Sequence, residues 1–150
     1  MAQVMSFEDS RVLHEEAKDL ENQGRLAAAE HKYLEAIRAR ESGLGPDHYT
    51  TATSYDSLGE LYFKMEQLDK AEEYLNKALH ARKDSGFNAD LAMTRDSLGR
   101  LFEMKGDLKA AQEIRLKGLH DNIACGNGSC LRLQNSLKEL SKCSVCKVCP

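Results

Sequence analysis

The chain is 150 residues long, 41% hydrophobic and 30% charged, with 21 basic and 24 acidic residues for a net charge of −3. That is one ordinary domain's worth of chain, able to bury about two-thirds of its unfolded surface. The mildly acidic balance argues against sequence-independent nucleic-acid binding, which rests on neutralising phosphates. No run approaches the ~18 apolar residues of a membrane helix.

Met1 to Ser10 lack the basic and apolar segments of a secretory signal, so a soluble intracellular protein is expected, in the cytoplasm or the nucleus. Ala, Leu, Glu, Lys and Arg dominate, all good helix formers, while Val and Ile are scarce. With two prolines and no tryptophan, the chain is expected to be all-α.

Ser6 and Asp9 form a capping box that opens a first helix over 7–22. A second is expected over 25–43. It stops at Gly43-Leu44-Gly45-Pro46, because glycine supplies a C-cap and proline cannot extend the ladder. Asp47 is the expected N-cap of a third helix, 48–65, whose Leu58, Leu61, Tyr62 and Met65 form one apolar stripe. Glu66-Gln67 turns the chain into a fourth helix, 68–85, with Leu68, Ala71, Leu75, Ala78 and Leu79 inward. Ser85-Gly86-Phe87-Asn88 separates it from helices at 89–105 and 108–123, and a seventh is expected over 131–142.

These elements repeat. Asp56-Ser57-Leu58-Gly59 recurs forty residues on as Asp96-Ser97-Leu98-Gly99, and Leu68, Ala71 and Leu79 recur as Leu108, Ala111 and Leu119. Upstream, at an offset of 42, Leu26, Ala29, Glu30, Ala36 and Arg40 match Leu68, Ala71, Glu72, Ala78 and Arg82. Gly24 and Gly106 occupy the turn position that Glu66 holds in the middle copy, a place for positive φ. Small residues at Gly59, Gly99, Ala71, Ala111 and Ala78 would let paired helices approach closely.

The spacing Leu58-Gly59, Tyr62, Ala71, Leu75, Ala78 resembles the tetratricopeptide repeat consensus. Leu44-Gly45-Pro46-Asp47-His48 with Thr51-Ala52-Thr53 is similar to the longer repeats of kinesin light chain, over residues 10–123. Copy one departs at Glu16-Ala17, and copy three at Arg115 and Gly118. The resemblance implies a right-handed superhelical array of three hairpins, residues 7–43, 48–85 and 89–123, within a domain of 1–124. It also implies a concave groove lined by the first helix of each pair, where neighbouring hairpins complete one another's core.

Groove-facing positions in that register are His14, Glu15, Lys18, Glu21 and Asn22 in copy one. Copy two supplies Thr53, Asp56, Ser57, Glu60, Phe63 and Lys64; copy three supplies Met93, Asp96, Ser97, Arg100, Glu103 and Met104. This mixed surface suits a protein or peptide ligand, in the form of an extended peptide or a partner helix. A carboxylate clamp like that of chaperone-tail binders would fall on His14, Lys18, Ser57, Met93 and Ser97, of which Lys18 alone is reliably cationic, so that ligand is not expected. The aspartates Asp56 and Asp96 favour a basic or hydroxyl-bearing ligand.

Residues 125–150 differ in character. All five cysteines lie there, and residues 131–150 carry Arg132, Lys138, Lys142 and Lys147 against Glu139, or +3. Residues 1–130 carry −6, from 17 basic and 23 acidic side chains. Cys125 and Cys130, then Cys143 and Cys146, form two knuckles that could close a tetrahedral zinc site. Repeats followed by such pairs resemble the opening of a MYND-type finger, which needs eight ligands on two zincs, so a complete finger is not expected in this chain. Three states of the tail stay open: a truncated finger, one zinc on those four thiolates with Cys149 spare, or free reduced thiols. Leu131, Leu133, Leu137 and Leu140 would make a helix covering copy three.

His14, His31, His48, His80 and His120 are scattered, and no phosphate loop, nucleophile elbow or paired His metal motif occurs. No enzyme is expected. The reading is a protein-interaction adaptor or scaffold, with a zinc-binding regulatory protein that displays a finger as the alternative.

Overall fold

The computed structural model describes residues 7–83 and 88–117, which hold six helices and no strand. They are α1 (Phe7–Asn22), α2 (Leu26–Leu44), α3 (Tyr49–Lys64), α4 (Leu68–Arg82), α5 (Asn88–Met104) and α6 (Leu108–Leu116). They fall into two compact units: α1–α4 in Met1–Asp84, α5 and α6 in Ser85–Pro150. Each consecutive pair forms a hairpin, and in the first unit α2 also packs on α3, so two hairpins stack. The helix expected over 131–142 lies outside the described residues, as does the end of the one expected over 108–123.

The hairpin turns are one structure made three times. Gly24, Glu66 and Gly106 have φ of 75°, 58° and 82°. The next N–H closes back over the helix end in each copy: Arg25 to the Leu20 carbonyl at 2.9 Å, Gln67 to Tyr62 at 2.9 Å, Asp107 to Phe102 at 2.8 Å. These six-to-one bonds satisfy carbonyls that a helix C-terminus leaves open, and they need a left-handed residue one place earlier. Glu66 accepts that conformation without being glycine.

Between the hairpins of the first unit, Gly45 turns with φ 93° and bonds its N–H to the Glu41 carbonyl. The N-cap of α3 is His48, not Asp47 as expected: its Nδ1 accepts from the Thr50 N–H at 3.2 Å. The helix starts one residue later than the Asp47 reading requires, so Asp47 stands outside the capping position. Asp107 caps α6 through the Ala110 N–H at 2.9 Å.

The core follows the repeat. Ala29, Ala71 and Ala111 are buried at one position, where a larger side chain would push the paired helices apart. Leu58 and Leu61 of α3 are fully buried, as are Leu98 and Leu101 of α5. Gly59 is a close-approach glycine: a Cβ there would lie 2.7 Å from Leu75 Cγ. Across the α2–α3 junction, Tyr62 donates to Glu30 at 2.7 Å and Tyr55 to Glu41 at 2.5 Å. Arg40, 4% exposed, donates to the Thr50 carbonyl at 3.0 Å and the Ser54 hydroxyl at 2.6 Å.

Candidate functional site

Six of the residues read from the sequence as groove-facing meet in one depression of about 280 Å³ in the first unit. Lys18, Glu21 and Asn22 come from α1, and Asp56, Ser57 and Glu60 from α3. Both trios have three- and four-residue spacing, which puts each on a single helix face. The seventh lining residue is Tyr33 of α2, reaching between the two first helices.

Tyr33 organises this surface. Its hydroxyl donates to Glu21 Oε2 at 2.9 Å, and the other Glu21 oxygen pairs with Lys64 of α3. Burial, then the Glu21 carboxylate, pushes the Tyr33 hydroxyl far above its ordinary range, so it stays a donor. The Asp56 carboxylate is held by Arg82 Nη1 of α4 at 3.2 Å, with the Arg82 side chain 5% exposed. Lys18 is exposed and, among the described residues, pairs only with Glu15, at 3.7 Å. The depression therefore has a fixed floor, two anchored carboxylates and one exposed lysine at its rim, suited to meeting both polar backbone and charged side chains of a ligand.

Sequence reasoning placed His14 on this surface; the structure buries it, and the reading is corrected. His14 shares an inward stripe with Ser10 and Ala17, packs edge-on against Tyr33 at 5.3 Å, and sits 3.3 Å from Ser54 Oγ. Burial, then the nearby Arg40 charge, lowers its pKa from 6.5 to about 4. It supports Tyr33 from behind. Thr53 is half-buried and turns its hydroxyl to the Tyr49 carbonyl of its own helix at 3.2 Å. Lys64 joins only through Glu21.

In the second unit the expected residues close on one another. Arg115 of α6 donates from Nε to Asp96 at 3.1 Å and from both terminal nitrogens to Glu103, at 2.6 and 3.2 Å. Arg100 lies 3.6 Å from the second Asp96 oxygen and donates to Ser97 at 3.2 Å. Asp96 and Glu103, both read from the sequence as ligand-facing acids, are thus engaged by one buried guanidinium of the paired helix, with the Glu103 side chain 41% exposed. Ser97 is buried, whereas Met93 and Met104 are exposed.

Tyr33 is the residue that sequence reasoning missed. The groove register draws only on the first helix of each pair, and Tyr33 belongs to the second. A signal did exist, since Tyr33, Leu75 and Arg115 occupy the same repeat position and two of the three can bond to a first-helix carboxylate.

Cys125, Cys130, Cys143 and Cys146 lie outside the described residues. Among the described residues no group of three or more His, Cys, Asp or Glu side chains could hold a metal ion. Nor is any described helix long and apolar enough to cross a membrane.

Among curated proteins none matches the chain. Among solved structures it is similar to the crystal structure of BtubC (BKLC) from P. vanneervenii. The match has 25% sequence identity and a TM-score of 0.70, over 73% of this chain and 44% of that one. The chain thus spans less than half the length of that neighbour. Residues 8–84, more than half of the chain, match the tetratricopeptide repeat. Stacked helical hairpins, the shared turn and this match agree: the chain belongs to the tetratricopeptide repeat family.

Proposed function

We propose that this chain is an adaptor that captures a peptide or helix of a protein partner in the depression formed by α1, α2 and α3. Tetratricopeptide repeats generally mediate protein–protein interaction and are typically not enzymes. One observation carries the finer reading: Lys18, Glu21, Asn22, Asp56, Ser57 and Glu60, named from repeat register alone, line one depression with Tyr33. Anchored carboxylates keep their geometry when a ligand arrives, so less ordering entropy is lost on binding. The repeats are of the kinesin-light-chain type in this reading, supported by offsets of 42 and 40 residues and by the Leu44-Gly45-Pro46-Asp47-His48 linker.

The test is selection of peptides from a randomised 12-residue library by the purified full chain. A variant carrying Lys18→Glu and Glu60→Lys should bind the selected peptides at least tenfold more weakly, with unchanged helical circular dichroism. That loss corresponds to about 1.4 kcal/mol. Undiminished binding by the variant rejects the depression as the site.

The second reading, display of a zinc-bound Cys-rich segment, is supported by the spacing of Cys125, Cys130, Cys143 and Cys146. Metal analysis of the purified chain and of a variant carrying Cys143→Ser and Cys146→Ser decides it. Less than stoichiometric zinc in the parent chain removes this reading.

A further inference from the structure

The first unit holds a second cavity, of about 520 Å³, on a different side of α3. Its near wall is the end of α2 and the linker that follows, through Glu41, Pro46 and Asp47; its far wall is the outer stripe of α4, including Glu73 and Lys77. Tyr55, 3% exposed, closes the floor. The volume lies within the ~300–1,000 Å³ usual for ligand clefts, and the walls are mostly apolar.

The charge around this cleft is unbalanced. Glu73 is paired with Lys77 at 2.8 Å, and the Lys77 ammonium sits 4.5 Å over the Tyr74 ring, so that cation is engaged twice. Glu41 accepts the Tyr55 hydroxyl, and among the described residues no cation lies within 4 Å of it. Burial, then Glu41, holds that hydroxyl protonated well above its ordinary range, so it donates and adds no positive charge. Asp47 meets only the His80 ring among the described residues, at 4.0 Å. Glu41, Asp47 and Glu73 therefore outnumber the one full cation that lines the cleft, Lys77, whose charge acts on Glu41 as well as on Glu73.

We propose that this cleft is a second binding site, taking an arginine side chain of a peptide ligand, with its stem against Pro46 and Tyr55 and its guanidinium on Glu41 and Asp47. Arginine fits better than lysine for two physical reasons. A guanidinium spreads five donors in a plane and can serve two carboxylates at once. It is also less strongly hydrated than an ammonium, so entering mostly apolar walls costs less. The site stands independently of peptide capture by α1–α3, because it shares no lining residue with that depression.

The experiment is titration of the isotope-labelled full chain with N-acetyl-arginine methylamide and, separately, its lysine analogue, followed by amide chemical shifts. Saturable shifts are expected at Asp47, Asn76 and Lys77, larger and at lower concentration for the arginine compound, and diminished by added salt. A variant carrying Glu41→Gln and Asp47→Asn should bind at least tenfold more weakly. The carboxamide introduced by Glu41→Gln keeps an oxygen for the Tyr55 hydroxyl and leaves the fold intact. Equal response to the lysine compound overturns the assignment. So do shifts confined to residues 18–22 and 56–60, no saturable shift, or an undiminished response in the variant.

Discussion

The α3–α4 and α5–α6 hairpins are two copies of one repeat that close by different chemistry. In both, the first helix carries a glycine where the second helix presses in: a Cβ at Gly59 would lie 2.7 Å from Leu75 Cγ, and one at Gly99 2.6 Å from Arg115 Cζ. The room is the same and its occupant is not. Leu75 fills it with a fully buried apolar side chain, which stabilises by about 1.5–3 kcal/mol. Arg115 fills it with a guanidinium, 9% exposed, that must then recruit Asp96 and Glu103. Buried ion pairs of this kind roughly break even against an apolar replacement. A repeat position therefore prescribes a volume, and its chemistry is settled by what the facing helix offers.

The largest effect should come from emptying that volume. Leu75→Ala is expected to cost about 2–5 kcal/mol, read as lost hydrogen-exchange protection in α3 and α4. Arg115→Ala should cost about 1–3 kcal/mol in α5 and α6, mainly because Asp96 and Glu103 lose their partner. Combining Arg115→Leu with Asp96→Asn should recover most of that loss, since the room already suits leucine. If Arg115→Ala matches Leu75→Ala and the combined variant recovers nothing, the two hairpins do not share the volume rule.

Acid should separate the two units by sign. His14 and Asp96 occupy one repeat position, through Asp56 in the middle copy. The folded His14 pKa is about 4 against 6.5, lowered by burial and then by Arg40. As pH falls below 6.5 the unfolded chain gains a proton that the folded chain refuses until about 4, so stability is full above this window and declines through it. The decline amounts to roughly 3 kcal/mol. Burial pushes the Asp96 carboxyl above its ordinary 3.8, against the pull of Arg115 and Arg100. Burial also works against the Arg115 charge, but hydrogen bonds to Glu103 and Asp96 outweigh it. The cation gains from the cluster while Asp96 bears the cost, as suits the better-exposed, two-pronged Glu103 being its main partner. A raised carboxyl is relieved as pH falls through its folded pKa, so Asp96 adds no acid loss of its own. Protection in α1–α3 should fall between pH 6.5 and 4, and His14→Phe should flatten that fall. An identical acid profile in the variant would remove His14 as its cause.

The two glycines should respond unequally when filled. Replacing a helical glycine by alanine gains up to about 1 kcal/mol of helix propensity, whereas overpacking costs about 1–3. At Gly59 the new methyl meets the Leu75 side chain and, at 3.3 Å, its backbone nitrogen, which cannot swing away. Gly59→Ala is expected to lose about 1–2 kcal/mol. At Gly99 it meets only the far end of a flexible arginine, and Gly99→Ala should fall within about 0.5 kcal/mol of neutral. Equal losses, read by the same exchange measurement, would mean that Arg115 is as rigid as Leu75.

What was legible in the sequence was local. All six described helices begin, and α1 to α5 end, close to where stripe, turn and cap residues predict, because those signals act within one turn of chain. Lys18, Glu21 and Asn22 meet Asp56, Ser57 and Glu60 because repeat register carries face information. Contacts between helices were not legible. His14 is polar and reads as surface, yet Tyr33 and Ser54 cover it. Arg115 reads as a departure from the repeat until Asp96 and Glu103, 19 and 12 residues away, are seen to surround it. The shift from Asp47 to His48 as the cap shows that even a local signal fails when two adjacent residues can serve.

The smallest effect tests the turn that both hairpins share. Glu66 holds φ 58° where Gly106 holds 82°. A non-glycine residue in the left-handed region costs roughly 1–2 kcal/mol, while glycine gives back about 0.5–1 through the freedom of the unfolded chain. Glu66→Gly should therefore stabilise the α3–α4 hairpin by a few tenths to about 1 kcal/mol, and Gly106→Ala should destabilise the α5–α6 hairpin by about 1. A Cβ at Gly106 would meet nothing within 4 Å, so that second cost can only be conformational. Because the two substitutions run in opposite directions at one repeat position, a common denatured-state effect cannot mimic both. Destabilisation by Glu66→Gly would show that the middle turn draws on its glutamate side chain rather than tolerating it.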